Sequence, residues 1–132
     1  MSHKTELKTA LNNREYLLKA LDKLKVKYSV GEGNTLTTKG NYGVHEKVEI
    51  LIHEVNGHRT TDAIGFQLTE DGNYKITGDF YSTGTSASEL TADATLEAKS
   101  LESNDRLMQM GFNLDHTSEN SKEVELVFTR WV

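Results

Sequence analysis

Two histidines close together in the sequence are the first candidates for chemistry. They stand at the ends of the segment HEVNGH, which superficially resembles the zincin pattern HExxH. A zincin needs its two imidazoles four residues apart on a helix, so that both reach one metal ion. Here His53 and His58 are five residues apart, and the Asn-Gly pair between them predicts a tight turn. We therefore predict no metal site and no cofactor; the alternative is a metal held across this turn with help from Glu49 or Asp62.

Carboxylates on the predicted strands are the second candidates. If they gathered on one face of a sheet, they could carry out acid–base or metal chemistry. Charged residues are nevertheless expected on the solvent face of any half-exposed antiparallel sheet, and we favour that interpretation. A serine, histidine and aspartate in a strand–turn–helix nucleophile context is not found either. The sequence therefore predicts no catalytic residue, and the carboxylates concerned are Glu49, Asp62, Asp79 and Glu125.

Two glycine-containing loops are the third candidates. Residues 31–43 hold four glycines in thirteen residues, but no Gly-Lys-Ser/Thr and helix follow, so a phosphate-cradling loop is only weakly indicated. A loop of this length in a small domain is often functional or mobile. Residues 82–88, which follow Phe80 and Tyr81, form a second predicted loop that is either functional or mobile. The predicted ligand or partner contacts of these loops are Lys39, Tyr42, His45 and Tyr81.

Trp131, the single tryptophan, stands one residue from the end of the sequence. An aromatic residue on a terminal alternating strand most often packs over the edge of its own core. The alternative is contact with a partner or a second copy, because aromatic residues are favoured interface anchors. We include Trp131 among the candidate partner contacts.

The elements that must position these residues follow from the hydrophobic pattern. Leu17, Leu18, Leu21 and Leu24 recur at helical spacing, and VEILIHEV has the apolar centre of a central strand. Asn-Gly and Asp-Gly turns join this strand to the next two in an antiparallel meander. The predicted helices are 14–25 and 89–110, the second either bent or divided in two; the predicted strands are 2–9, 26–30, 48–55, 62–69, 74–80 and two after residue 111, with 31–43 as a long loop or ragged hairpin.

This order, β-α-β-β-β-β-α-β-β, predicts an α+β fold with one mostly antiparallel sheet and two helical segments packed on it. A length of 132 residues fits a single domain, 1–132. The net charge of −5 disfavours nucleic acid as a partner. Cysteine is absent, and neither a signal peptide nor an apolar run of membrane-spanning length is present, so a cytoplasmic protein without membrane contact is predicted.

Short motifs along the chain resemble one known family. They are the opening Met1-Ser2-His3, Leu7-Lys8-Thr9, Ile64-Gly65-Phe66, Asp71-Gly72-Asn73-Tyr74, Gly111-Phe112 and the ending Arg130-Trp131, with the leucines of the first helix. They resemble the hypothetical chloroplast open reading frame thirty-five family, a domain of unknown function in plastids, cyanobacteria, other bacteria and bacteriophages. Lys4 replaces an aromatic residue common in that family, and Phe80 and Tyr81 stand where tryptophans are common. The resemblance implies no catalytic residue, and its phage members suggest a host-directed role.

These observations give three ranked expectations of function. The first is a non-catalytic binding protein that acts through protein–protein contacts as a homo-oligomer, with the C-terminal strand and Trp131 covering an open sheet edge. The second is a small-ligand or nucleotide-binding protein that uses the glycine-rich loops to sequester its ligand. The third is a metal-dependent enzyme.

Overall fold

The computed structural model describes residues 4–40 and 45–111, and these form an α+β fold. The predicted fold class is thereby confirmed. The two helices are α1 (Arg14–Lys23) and α2 (Ala87–Gln109); the seven strands of the described residues are β1 (Lys4–Lys8), β2 (Lys27–Val30), β3 (Leu36–Thr37), β4 (Lys47–Val48), β5 (Ile50–Val55), β6 (His58–Leu68) and β7 (Tyr74–Asp79). The predictions for Tyr42, Trp131, Glu125 and the two last strands concern residues outside this described part of the chain.

Five strands form one antiparallel sheet in the order β1-β7-β6-β5-β2. Its centre is the predicted meander β5-β6-β7, in which Ile64 pairs with Ile52 on one side and Gly78 on the other. The two strands that flank α1 in sequence take the two edges: β1 pairs with β7, and β2 pairs with β5. The short strands β3 and β4 pair with each other in a second sheet.

Helix α1 begins and ends at identifiable signals. The side chain of Asn13 accepts a hydrogen bond from the backbone N–H of Tyr16 at 3.3 Å, which satisfies one orphan donor of the first turn. The helix ends at Lys23, two residues earlier than predicted. Lys25 adopts a left-handed conformation with φ of 59°, and the N–H of Val26 returns to the carbonyl of Leu21. This closing turn redirects the chain into β2.

Helix α2 is one continuous helix of 23 residues and is not divided in two. Ser86 caps it by accepting from the N–H of Glu89 at 3.1 Å, so the predicted loop 82–88 ends at Ser86. Leu90, Ala94 and Ala98 form a buried stripe along one side. Burial of this stripe outweighs the weak helix propensity of the serines and asparagine farther along. Gly111 follows with φ of +86°, the left-handed closing residue that the sequence predicts.

The main hydrophobic core lies between the helices and one face of the sheet. Leu17 and Leu21 of α1 are fully buried against this face, and α1 also packs against α2. At about 1.5–3 kcal/mol for each large apolar side chain removed from water, this layer supplies most of the stabilisation of the fold. The fully buried sheet residues of the core are Ile50, Ile52, Ile64, Phe66 and Ile76.

The opposite face of the sheet is partly covered by the β3–β4 hairpin, here called the ragged hairpin. Of the predicted loop or ragged hairpin 31–43, the described residues 31–40 include β3 of this hairpin. Val48 of β4 packs over Gly65, where an added Cβ would lie only 2.8 Å from the valine Cγ2 and 2.5 Å from the carbonyl oxygen of Ile50. A glycine at position 65 therefore permits the close approach of the hairpin to the sheet. Within residues 4–40 and 45–111, neither helix combines the length and the apolar character of a membrane span.

Candidate functional site

A polar groove opens where β2, β5 and β6 lie side by side. Its volume is about 480 Å³, and it holds several charged side chains close together. Three of its residues are cationic, two are carboxylates, and the remaining two are a histidine and a threonine. The polar groove is lined by Lys27, Lys39, His53, Glu54, Arg59, Thr61 and Asp62.

An irregularity in strand pairing builds this groove. Ile52 of β5 pairs with Ile64, but Glu54, two residues on, pairs with Arg59, so residues 60–63 of β6 bulge out of the ladder. On the other side, the register with β2 also shifts at His53. The bulge explains why β6 begins at residue 58, four residues before the predicted start. It also turns the side chains around position 62 towards the groove.

The backbone of the bulge is strained and held by specific hydrogen bonds. Thr61 and Asp62 both have positive φ, at 56° and 58°, which is uncommon for consecutive residues that are not glycine. The buried hydroxyl of Thr60 donates to the carbonyl of Ile52 at 2.6 Å. The N–H of Lys39 donates to the carbonyl of Asp62 at 2.6 Å. The loop before β4 and the neighbouring strand therefore both hold the strained segment in place.

Ser29, His53 and Asp62 form a chain of hydrogen bonds across these three strands. The Nδ1 atom of His53 lies 2.5 Å from Oδ1 of Asp62, and its Nε2 lies 2.6 Å from Oγ of Ser29. An ionised carboxylate can only accept, so Nδ1 carries the proton towards Asp62. In the neutral imidazole, Nε2 then accepts the hydroxyl hydrogen of Ser29. The arrangement is that of a hydroxyl, a base and a group that orients the base.

Among the described residues, one cation of the groove has no counter-charge. Lys27 Nζ lies 3.5 Å from Oε2 of Glu54, and Lys39 Nζ lies 3.9 Å from Oδ2 of Asp62. Arg59 is exposed and forms no ion pair with any described residue. The groove is thus one unit more positive than negative with His53 neutral, whereas the whole chain carries −5.

The structure brings one of the predicted contact residues to this groove. Lys39 lines it, at the end of the ragged hairpin. His45 does not; its Nδ1 lies 2.9 Å from the carbonyl oxygen of Thr38. Tyr81 is 72% exposed after β7 and is not among the groove residues. Of the predicted contacts that the structure describes, only Lys39 therefore shares a site with other chemically capable residues.

His53 and His58 point to different partners. The Nε2 atom of His58 lies 2.9 Å from the carbonyl oxygen of Ser82, and a Cβ added at Gly84 would lie 2.9 Å from its imidazole. His53 instead lies between Ser29 and Asp62. The turn between the two histidines, predicted from Asn-Gly, is present at Asn56 and Gly57, which both have positive φ. The side chains of His53 and His58 do not converge on one point. Among described residues, no three histidine, aspartate or glutamate side chains form a metal-binding group.

The carboxylates of the predicted strands have separate environments. Glu49 is buried, accepts from the hydroxyl of Tyr74, and accepts from the N–H of Gly33 at 3.1 Å. Burial and the Glu49 carboxylate raise the pKa of Tyr74 well above its usual range. Asp79 is buried and accepts from the N–H of Tyr81 at 3.0 Å. Glu49 thus anchors the hairpin and Asp79 the turn after β7. Of the candidate carboxylates Glu49, Asp62 and Asp79, which the structure describes, Asp62 is the one that lines the groove.

Ser29 and Arg59 are among the residues of this site that the sequence did not reveal. Both lie on predicted or adjoining strand segments and look like ordinary solvent-facing residues. Their only sequence signal is that β2 carries a hydroxyl and β6 a guanidinium near the strand of His53. The proximity of Ser29 and Arg59 to His53 depends on the order of strands in the sheet and on the bulge. Neither can be read from the spacing of these residues in the sequence.

Comparison with known proteins gives one relative. Over 79 residues the chain is 38% identical to the uncharacterized protein ycf35 of Cyanophora paradoxa, and the match covers 60% of this chain and 56% of that protein. The chain thus matches little more than half of that relative's length. No family model matches the chain, and no solved structure matches it significantly. The sequence match supports the resemblance that the short motifs predict: over these 79 residues the chain is similar to ycf35.

Proposed function

We propose that this protein binds a small anionic ligand of the phosphate class in the polar groove. The observation that carries the proposal is the convergence of Lys27, Lys39 and Arg59 on one concave surface of a chain whose net charge is −5. A cationic patch of this kind on an acidic molecule concentrates anions locally. The proposal corresponds to the second of the three expectations from the sequence, with the ligand in the groove rather than in a glycine-rich loop.

Arg59 is the principal anchor in this proposal. A guanidinium presents a planar fork of donors that matches a phosphate or carboxylate, and it stays charged at all physiological pH values. It forms no ion pair with a described residue, so no ion pair within the described part of the chain must break when a ligand binds. Lys27 and Lys39 exchange long contacts with Glu54 and Asp62 for contacts with the ligand.

The ragged hairpin has a defined part in the proposal. Lys39 stands at its end, and its own N–H is bonded to the carbonyl of Asp62 in the bulge. The backbone at this position is therefore held while the long side chain keeps its freedom. In this proposal residues 31–40 position Lys39 and do not wrap their glycines around a phosphate.

Calorimetric titration with inorganic pyrophosphate tests the proposal. We expect saturable binding that weakens by about tenfold or more in Arg59→Ala, the cost of about 1.5–3 kcal/mol for a hydrogen-bonded charge contact. Arg106→Ala is the matched control, because Arg106 is an exposed arginine on α2 that pairs only with Glu102 among described residues. Absence of binding to the unmodified protein, or an equal loss of affinity in both variants, would contradict the proposal.

The second candidate is the protein-partner interpretation ranked first from the sequence. The observation that favours it is Tyr81, an aromatic side chain 72% exposed in the turn after β7. An exposed aromatic is a favourable interface anchor. In this proposal the partner is a second copy of the chain, the location is the cytoplasm, and any phage-encoded, host-directed role rests on the family resemblance.

A further inference from the structure

We propose that Ser29 is a nucleophile, with His53 as its general base and Asp62 as the residue that positions His53, and that this group hydrolyses esters that carry an anionic group. The proposal rests on the proposed function in one respect: the anionic group of the ester occupies the polar groove. The activation of Ser29 by His53 depends on contacts within the protein and not on the ligand.

The distances meet the requirement for an activated hydroxyl. A nucleophile and its base must lie within hydrogen-bond reach, and the base must be oriented by a third group. Ser29 Oγ lies 2.6 Å from His53 Nε2, and His53 Nδ1 lies 2.5 Å from Asp62 Oδ1. Both ring nitrogens are therefore engaged, each with the kind of partner that its role requires. The same constellation of roles recurs on unrelated folds, so the absence of a nucleophile elbow does not exclude it.

Rigid elements hold the three residues. Ser29 is on β2, His53 on β5 and Asp62 on β6, which are consecutive neighbours in the sheet. Sites built on strands are more precise than sites built on loops. The bulge that brings Asp62 to His53 contains two consecutive residues of positive φ. Such conformations cost about 1–3 kcal/mol each and persist where the surroundings hold them, which is often at functional sites.

Ser29 is accessible to a substrate that also occupies the groove. It is exposed on an edge strand of the sheet of the described residues and pairs with Leu51, which lies outside the helix-covered core. Lys27, two residues earlier on the same strand, lines the groove. His53 lies between the polar groove and Ser29: it lines the groove, and its Nε2 faces Ser29. An ester with its anionic group in the groove can therefore extend past His53 to place its carbonyl carbon at Ser29.

The reaction consists of two balanced transfers. In the first, Ser29 Oγ forms a bond to the ester carbon, His53 Nε2 takes the hydroxyl proton, and the bond to the leaving oxygen breaks as that oxygen receives the proton from His53. In the second, water attacks the acyl carbon, His53 takes a proton from the water, and Ser29 Oγ leaves and is reprotonated. One water is consumed, and one carboxylic acid and one alcohol are formed. Asp62 remains ionised and stabilises the imidazolium in both transfers.

Diisopropyl fluorophosphate, which carries no charge, tests the nucleophile without requiring the groove. Attack by Ser29 forms an oxygen–phosphorus bond, releases fluoride and leaves the hydroxyl proton on His53. We expect intact-mass spectrometry to show one adduct per chain, located on Ser29 by peptide mapping and absent from Ser29→Ala. Labelling should fall at least a hundredfold in His53→Gln and remain unchanged in the control Ser88→Ala, an exposed serine of α2. No adduct on the unmodified protein, or an adduct on Ser29 that forms equally fast in His53→Gln, would overturn the proposal.

Asp62 is tested as a positioning residue by the pH dependence of labelling. Asp62→Asn keeps the size of the side chain and can still contact His53, but it no longer stabilises the imidazolium. We expect slower labelling and a pH profile displaced from that of the unmodified protein, with circular dichroism confirming that the variant is folded. A rate and profile identical to those of the unmodified protein would remove Asp62 from the proposal.

The substrate class is tested separately. We expect faster hydrolysis of a 4-nitrophenyl ester with a terminal carboxylate on its acyl chain than of 4-nitrophenyl acetate, and loss of this preference in Arg59→Ala. Labelling of Ser29 without a preference for the anionic ester would retain the nucleophile and contradict anion binding by the groove. Pyrophosphate binding without labelling would retain the groove and overturn the nucleophile. The two proposals therefore fail in distinguishable ways.

Discussion

At the scale of single residues, Tyr74 and Glu49 form the buried polar contact that joins the sheet to the ragged hairpin. The tyrosine hydroxyl donates to the Glu49 carboxylate, whose other oxygen accepts from the N–H of Gly33. Tyr74 and Glu49 are only 3% and 4% exposed. A buried carboxylate is stable only when such donors compensate for lost hydration, so this contact holds the hairpin against the sheet.

Tyr74→Phe should destabilise the fold, because it leaves one oxygen of buried Glu49 without its hydroxyl donor. We expect a loss of about 1–3 kcal/mol in the free energy of unfolding, measured by urea denaturation at neutral pH. Tyr81→Phe is the control, since the Tyr81 side chain is exposed. Equal denaturation midpoints for Tyr74→Phe and the unmodified protein would contradict this role.

The same tyrosine predicts how stability depends on alkaline pH. The pKa of Tyr74 is raised in the folded protein by burial and by Glu49, and that of Tyr28 is raised to about 12 by burial and by the Asp22 carboxylate. A tyrosine in the unfolded chain ionises at about pH 10. The contribution of these two tyrosines to the free energy of unfolding is therefore fully present below about pH 10. It is lost as the pH rises above that value, because only the unfolded chain readily releases these protons. Urea denaturation between pH 8 and about pH 11 should show this decline, and a smaller one in Tyr74→Phe.

At this scale the sequence revealed the chemical identity of the candidates better than their grouping. His53 and Asp62 appear together in the metal alternative weighed from the sequence, whereas Lys39 appears separately as a loop contact. Ser29 was missed because a serine on an alternating strand is ordinarily a solvent-facing residue. What unites these residues is the order β2-β5-β6 and a bulge, which depend on contacts distant in sequence.

At the scale of elements, the helices and strands explain why the groove has a rigid floor. Helix α1 and the centre of β5 share the main core, so the strand that carries His53 is fixed by packing on its other face. The apolar periodicity of α1 and the continuous apolar centre of β5 predicted this arrangement, because burial of a hydrophobic face determines it. The irregular backbone at Thr61 and Asp62 could not be predicted, since a β-branched residue rarely adopts positive φ.

Leu21→Ala and Ile52→Ala test the packing of α1 on the sheet. Both residues are fully buried, so each substitution removes transfer free energy and leaves a cavity. We expect each to lower the free energy of unfolding by about 2–5 kcal/mol. Leu96→Ala on α2 is the matched control, because Leu96 is 59% exposed and its truncation should be nearly neutral. If the denaturation midpoints of all three variants equalled that of the unmodified protein, the helix-on-sheet packing would be wrong.

At the scale of the whole molecule, charge is distributed unevenly. The chain carries −5, yet the polar groove is locally positive, and the edge strand β1 carries Lys4, Glu6 and Lys8. Charged edge strands resist pairing with other chains. The fold class, the meander and the helix-on-sheet arrangement were predictable because each follows from a repeated local pattern. The position of the groove was not predictable, because it depends on breaks in register on both sides of β5.

Self-association remains a prediction at this scale. We expect light scattering to show a homo-oligomer that is weakened by Tyr81→Ala or by Trp131→Ala, with Tyr16→Ala as an aromatic control away from these positions in the sequence. A monomer at high protein concentration would contradict it.

Binding to generic duplex DNA should be undetectable at physiological salt, because an acidic surface releases few counterions.

The most direct test of anion binding by the groove is a titration of isotope-labelled protein with inorganic pyrophosphate, followed by two-dimensional ¹H–¹⁵N NMR. We expect the backbone resonances that move to belong to Lys27, Lys39, His53 and Arg59 and their immediate neighbours, with one saturation curve for all of them. The side-chain resonances of His53 should move on the same curve. Shifts scattered over lysines elsewhere, such as those of α1, or a groove whose resonances stay still at millimolar pyrophosphate would contradict the account.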